Sequence, residues 1–177
     1  MKLIVLTAIL GIVAVVVAQN SKPAPAAALH VSNTFSFTVN APQKVVAPLF
    51  GAHLERAWAE GWDPQFVYPQ PAEDKAGEVF TINHGSHSST WINTAHDLEK
   101  GHIQYAYVIP QAMAVLIDIH AVSSGPNTTQ VAVTYERTAL SPGLNDHIRQ
   151  QGESDAKSGP HWQKAIEDYL KKEGKLR

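Results

Sequence analysis

Glu55, Trp58 and Trp62 stand at i, i+3 and i+7 within Glu55-Arg56-Ala57-Trp58-Ala59-Glu60-Gly61-Trp62-Asp63-Pro64, the densest grouping of chemically capable side chains in the sequence. At helical spacing Glu55 and Trp58 share a face, so a carboxyl stands beside an indole. If that face looks into an apolar cavity, the carboxyl is desolvated, its pKa rises, and it can move a proton as a general acid or base. The alternative is structural: both tryptophans plug one end of a core, and Glu55 pairs with Arg56 or accepts from nearby amides. Glu55 is therefore the candidate catalytic residue, with the reaction itself undefined.

Nine histidines invite a metal reading, above all His84-x-x-His87 with His96 and His102 in neighbouring strands. A catalytic zinc needs three ligands converging at about 2.0–2.2 Å and an open fourth position. His84 and His87 flank a glycine turn, where side chains point to water, and no H-E-x-x-H spacing exists. Neither a metal nor another cofactor is expected. The polar turn Gly85-Ser86-His87-Ser88-Ser89 lacks the G-x-S-x-G elbow of an activated serine. Asn127-Thr128-Thr129 is a glycosylation sequon, relevant only in a eukaryotic secretory pathway. The chain has no cysteine, which excludes thiol catalysis, thiolate metal sites and lipid attachment at a cysteine.

Fourteen Lys and Arg against sixteen Asp and Glu leave a net charge of −2, without the basic surplus that would suggest a nucleic-acid partner. Behind Lys2, residues 3–18 form an apolar run broken only by Thr7, with small residues at its exit, before Gln19-Asn20-Ser21-Lys22. These are the parts of a signal peptide cleaved after Ala18. The expectation is a secreted or periplasmic protein with no stable membrane insertion after cleavage. The alternative is an uncleaved anchor, for which the run is slightly under the usual length of about 17–25 residues. Residues 19–29 read as a Pro/Ala-rich spacer, residues 30–173 as one domain and 174–177 as a tail.

From His30 the pattern alternates, with Val31, Phe35, Phe37 and Val39 on one side and Ser32, Thr34, Ser36 and Thr38 on the other, as in a half-buried strand. Pro42 opens a short helix carrying Val45, Val46, Leu49 and Phe50, and a second helix is expected over 53–60, ended by Gly61. Strands follow over 65–68, 78–83, 88–97, 102–109, 112–123 and 128–140, separated by turn residues and short enough connections for antiparallel neighbours. Trp162, Ala165, Ile166, Tyr169 and Leu170 then mark one face of an amphipathic helix, with an upstream helical piece over 144–157 and a break at Gly159-Pro160. This order favours an α+β helix-grip fold: a curved antiparallel sheet of about seven strands, two short helices after the first strand, and a long C-terminal helix across one face.

Two strands carry rows that suit a small-molecule pocket. Met113, Val115, Ile117, Ile119 and Ala121 form one, with Asp118 and His120 on the opposite, wetter face; Ile103, Tyr105, Tyr107 and Ile109 form the other. An apolar cavity with a few polar anchors is the usual character of a ligand site, whereas a solid core would leave no room. The candidate ligand-binding residues are Glu55, Trp58, Trp62, Trp91, Tyr105, Tyr107, Val115, Ile117, Ile119, Trp162 and Ile166.

Several segments resemble the START-like superfamily called SRPBCC, which includes polyketide cyclases, lipid-transfer START domains and plant pathogenesis-related allergens. They are Phe35-Ser36-Phe37-Thr38-Val39-Asn40-Ala41-Pro42 followed by Val45-Val46-x-x-Leu49-Phe50, then Gly77-Glu78-Val79-Phe80, Trp91, and Trp162-x-x-Ala165-Ile166-x-x-Tyr169-Leu170. The resemblance runs from Val31 to Leu170, and the segment Glu55-Arg56-x-Trp58-x-x-Gly61-Trp62-x-Pro64 resembles an uncharacterised bacterial branch. It implies a helix-grip fold with a pocket, and hence an exported binding or carrier protein for a hydrophobic or amphipathic small molecule held between sheet and C-terminal helix. The alternatives are a cyclase- or dehydratase-type enzyme using Glu55 in the same pocket, and an envelope protein that binds another protein.

Overall fold

The computed structural model describes residues 27–85 and 87–176; the expected signal peptide and residues 19–26 of the expected spacer lie outside them. Seven strands form one antiparallel curved sheet in the order β1-β7-β6-β5-β4-β3-β2. They are β1 (His30–Val39), β2 (Gln65–Tyr68), β3 (Val79–His84), β4 (His87–Asp97), β5 (His102–Ile109), β6 (Met113–Gly125) and β7 (Thr128–Ala139). The chain is thus an α+β helix-grip fold.

The period-two pattern decides the faces. In β6 buried Met113, Val115, Ile117 and Ile119 alternate with partly exposed neighbours, and in β7 Val131, Val133, Arg137 and Ala139 are buried on the same side. Residues facing one another across β1 and β7, such as Phe35 and Val133, continue the inner surface. Helices α3 (Asn145–Asp155) and α4 (Gly159–Lys172) cover that surface against β1, with Ile148 on α3 and Ile166 and Leu170 on α4 buried beneath them. At Gly152 the approach is close enough that a Cβ would come 2.6 Å from Asn33 Nδ2.

Two short helices interrupt the chain after β1: α1 (Gln43–Val46), which runs into a 3-10 turn over Ala47–Phe50, and α2 (Ala52–Glu55). Val45 and Val46 both donate to the Pro42 carbonyl, at 2.8 and 3.1 Å. The second helix stops well before the residue 60 expected from its spacing. Past Glu55 the backbone tightens, with Ala57 donating to Leu54, Trp58 to Glu55 and Trp62 to Ala59 three residues back. The Ala52 carbonyl meanwhile accepts from the Trp62 indole at 2.8 Å. Side-chain donors and three-residue turns compete here with helical propagation.

Gly101 sits between β4 and β5 with φ +67°, and its carbonyl accepts from Ala121 N at 2.7 Å. A Cβ there would lie 2.1 Å from the Ala121 carbonyl oxygen, so glycine is required both for the turn and for contact with β6.

Candidate functional site

Glu55 ends α2 with its side chain turned inward, 7% exposed. Among the described residues nothing donates a hydrogen bond to its carboxyl. The Arg56 pairing considered from the sequence does not form, because Arg56 turns to Asp63 at 3.3 Å and to the Pro64 carbonyl, with its guanidinium over the Phe66 ring. Burial, and secondarily the Asp74 charge, push the Glu55 carboxyl from its ordinary 4.5 to about 8. At neutral pH it is therefore mostly a neutral acid, able to donate as well as accept.

Two aromatic groups form in the interior. In one, the Trp162 ring meets Phe35, Phe50, Trp58 and Tyr135 at centroid distances of 5.4, 6.3, 5.4 and 6.5 Å. In the other, Trp91 meets Phe80, Trp62, Tyr105 and Tyr107 at 5.7, 5.2, 6.2 and 4.0 Å. The phenols of Tyr105 and Tyr135 are both raised, first by burial and then by the Glu55 charge. One belongs to each group, so the Glu55 charge is felt by a tyrosine of both.

The polar ends of these rings differ. Trp58 Nε1 donates to the Leu49 carbonyl at 2.7 Å, Trp91 Nε1 to Ser89 Oγ at 2.7 Å and Tyr105 to the Phe50 carbonyl at 2.8 Å. With the Trp62 bond to Ala52, four of the expected ligand residues thus spend their donors on the protein. Tyr135 and Trp162 make no side-chain hydrogen bond among the described residues. The expected residues Val115, Ile117, Ile119 and Ile166 are buried in the same core.

Beside Glu55 a second polar group forms. His53 Nε2 lies 3.1 Å from Glu78 Oε1, and Asp74 Oδ1 accepts from His53 N at 3.1 Å. Glu78 is fully buried; desolvation raises its pKa and outweighs the His53 bond. Its Oε2 and Asn93 Oδ1 are buried without a partner. Three carboxyl groups thus crowd the α2 end of the interior.

The opposite end holds features that the sequence reading did not single out. Arg137 donates through Nε and Nη2 to Asp155 at 2.5 and 2.8 Å, and through Nη1 to the Tyr107 hydroxyl at 2.8 Å. Its Nη1 also lies 3.8 Å from Met113 Sδ, and Met113 forms part of a cavity of about 390 Å³ with His87, Ile109, Ala112, Leu144 and His147. The cavity opens between the β5–β6 connection and α3. A signal was available: Arg137 sits in the inward register of β7, where a charge must find a partner.

The histidines regroup as well. His102 faces Asp118 and His120 on the outer side of the sheet. His96 instead approaches Asn93 Nδ2 at 3.5 Å, with its pKa lowered by burial. No described helix is long and apolar enough to cross a membrane.

No family model and no curated protein sequence matches the chain. Solved structures do. Norcoclaurine synthase from Thalictrum flavum, in complex with dopamine and hydroxybenzaldehyde, is similar with TM-score 0.57 and 12% identity, over 82% of this chain and 86% of that one. Ara h 8.0201 is similar with TM-score 0.60 and 13% identity, over 81% and 99%. A putative uncharacterized protein from Rhizobium leguminosarum is similar with TM-score 0.56 and 15% identity, over 82% and 97%. These neighbours share the helix-grip fold described above.

Proposed function

We propose that this chain is an exported binding protein for a hydrophobic or amphipathic small molecule, held between the sheet and α4 with its polar end at Glu55. One observation carries the reading: a carboxyl 7% exposed, protonated near neutral pH and without a hydrogen-bond partner among the described residues, whose charge reaches the buried phenols of Tyr105 and Tyr135. A buried polar group is normally satisfied, and a ligand's hydroxyl, carbonyl or amine would satisfy this one. The open hydroxyl of Tyr135 and the indole N–H of Trp162 offer further anchors, and the rings supply apolar contact. Export rests on the apolar run of residues 3–18.

Native mass spectrometry of gently purified protein should detect a bound small molecule, and the anionic amphiphile ANS should bind saturably. ANS affinity should fall as pH rises through about 8, where Glu55 ionises, and should stay level in Glu55→Gln. An empty protein with no saturable ANS binding overturns the reading. Export is checked separately by the intact mass of the mature protein, expected to begin near Gln19.

A second reading, an acid/base enzyme, is favoured by the same pKa, which puts Glu55 within reach of both protonation states near neutrality. For a substrate found by screening, Glu55→Gln would abolish turnover while leaving binding in place. A carrier would show binding alone.

A further inference from the structure

The register of β5 and β6 sets His102 opposite His120 and Gln104 opposite Asp118. Tyr105, Ile117 and Ile119 point inward from the same strands, so the period of two turns these four polar side chains to the outer face. There His102 Nε2 lies 2.7 Å from Asp118 Oδ1, and His120 Nε2 lies 3.0 Å from Asp118 Oδ2. The two imidazoles stack at 4.7 Å with their planes 5° apart. Two ring nitrogens and a carboxylate thus converge, with ligand atoms all within 4.8 Å of one another.

The carboxylate is held in place from behind. Thr94 Oγ1 donates to Gln104 Oε1 at 2.8 Å, which fixes the amide so that Gln104 Nε2 donates to Asp118 Oδ1 at 2.9 Å. Outer partners of this kind orient metal-binding carboxylates and tune their affinity. Both of Asp118's ion-pair partners are histidines. A neutral imidazole can present a lone pair at Nε2 by carrying its proton on Nδ1, so a change of tautomer turns two hydrogen-bond donors into two ligands.

We propose that His102, Asp118 and His120 bind one divalent first-row transition ion of the zinc type on the outer face of the sheet. Two imidazoles and one carboxylate match the three-ligand set that leaves a fourth position open, while the nitrogen donors disfavour calcium and magnesium. The site requires a modest rearrangement, since bonds of about 2.0–2.2 Å set tetrahedral ligands roughly 3.4 Å apart: each imidazole opens slightly from the Asp118 oxygen it now bonds, at 2.7 and 3.0 Å, as the ion enters between them. The inference is independent of the interior ligand, because the site uses the other face of the sheet.

The test is calorimetric titration of tag-free protein with zinc chloride in a non-chelating buffer, with imidazole resonances followed by NMR. Saturable one-to-one binding is expected, with the His102 and His120 signals moving together. Asp118→Asn and His120→Ala should each weaken it by about 100-fold, at or beyond the upper end of the 10–100-fold typical of lost outer partners. Gln104→Ala should weaken it less. These partly exposed positions make folding easy to verify by Tm. The second cluster, His53 with Asp74 and Glu78, supplies the control: His53→Asn should leave binding unchanged. Absence of saturable binding overturns the proposal, as does binding that survives His120→Ala and is lost in His53→Asn.

Discussion

Arg137 and Asp155 form a two-point ion pair, Nε to Oδ2 at 2.5 Å and Nη2 to Oδ1 at 2.8 Å, that fastens α3 to β7 beneath the sheet's inner face. Both residues are buried, at 6% and 7% exposure. The third guanidinium nitrogen donates to Tyr107, whose ring stacks on Trp91, so the pair connects the covering helix to the aromatic interior. A charge this deep is tolerated only because its partner and the phenol accept from it.

Removing one member should therefore cost more than removing both. Asp155→Asn or Arg137→Met alone is expected to lower stability by about 3–5 kcal/mol, whereas Arg137→Met with Asp155→Leu should recover most of that loss. Urea unfolding of the four proteins of this cycle measures the coupling. Additive losses would show that the pair does not fasten α3.

Glu55 makes stability fall with rising pH. In the folded chain its proton is held up to about 8, against an ordinary value of 4.5. Between these values the unfolded chain is ionised and the folded chain is not, so the unfolded state binds fewer protons. Stability is fully retained below the lower value and declines by roughly 1.4 kcal/mol per pH unit through the window. Glu55→Gln should thus have a higher Tm than the parent at pH 8, the difference closing toward pH 4.5. Parallel Tm profiles would contradict a buried, protonated Glu55.

Trp162→Ala removes the ring on which Phe35, Phe50, Trp58 and Tyr135 converge. A loss of about 3–5 kcal/mol in chemical unfolding is expected, with α4 detaching first. Hydrogen exchange should show lost protection at Ile166 and Leu170 in α4 before β6. Uniform loss across the sheet would argue against that order.

Gly101→Ala meets both a φ of +67° and the Ala121 carbonyl. Where the backbone tolerates it, replacing glycine by alanine gains about 0.4–1 kcal/mol; here a loss larger than that is expected, read as a lower Tm. Weakened protection of the Ala121 amide should accompany it. An unchanged Tm would mean that the hairpin shifts freely away from β6.

The order of elements was legible because each has a local signature. Alternation in Val31–Val39, the proline and glycine boundaries, and the Trp162–Ile166–Tyr169 spacing are read within a few residues of chain. The early stop of α2 was not, since it depends on the Trp62 indole reaching the Ala52 carbonyl across ten residues. Trp58 and Glu55 were visible as neighbours, but whether Arg56 would neutralise Glu55 was settled by Arg56 turning to Asp63 and Pro64.

Local patterning therefore accounts for the strands, the amphipathic helix and the side of the sheet each residue faces, because backbone periodicity alone decides them. Only the tertiary structure could decide which polar groups share a space. The Glu55 charge reaches Tyr105 and Tyr135, Arg137 meets Asp155, and His102 meets His120 through strand register and helix placement. The energies that follow, desolvation above all, depend on that enclosure and on partners 18 to 80 residues away.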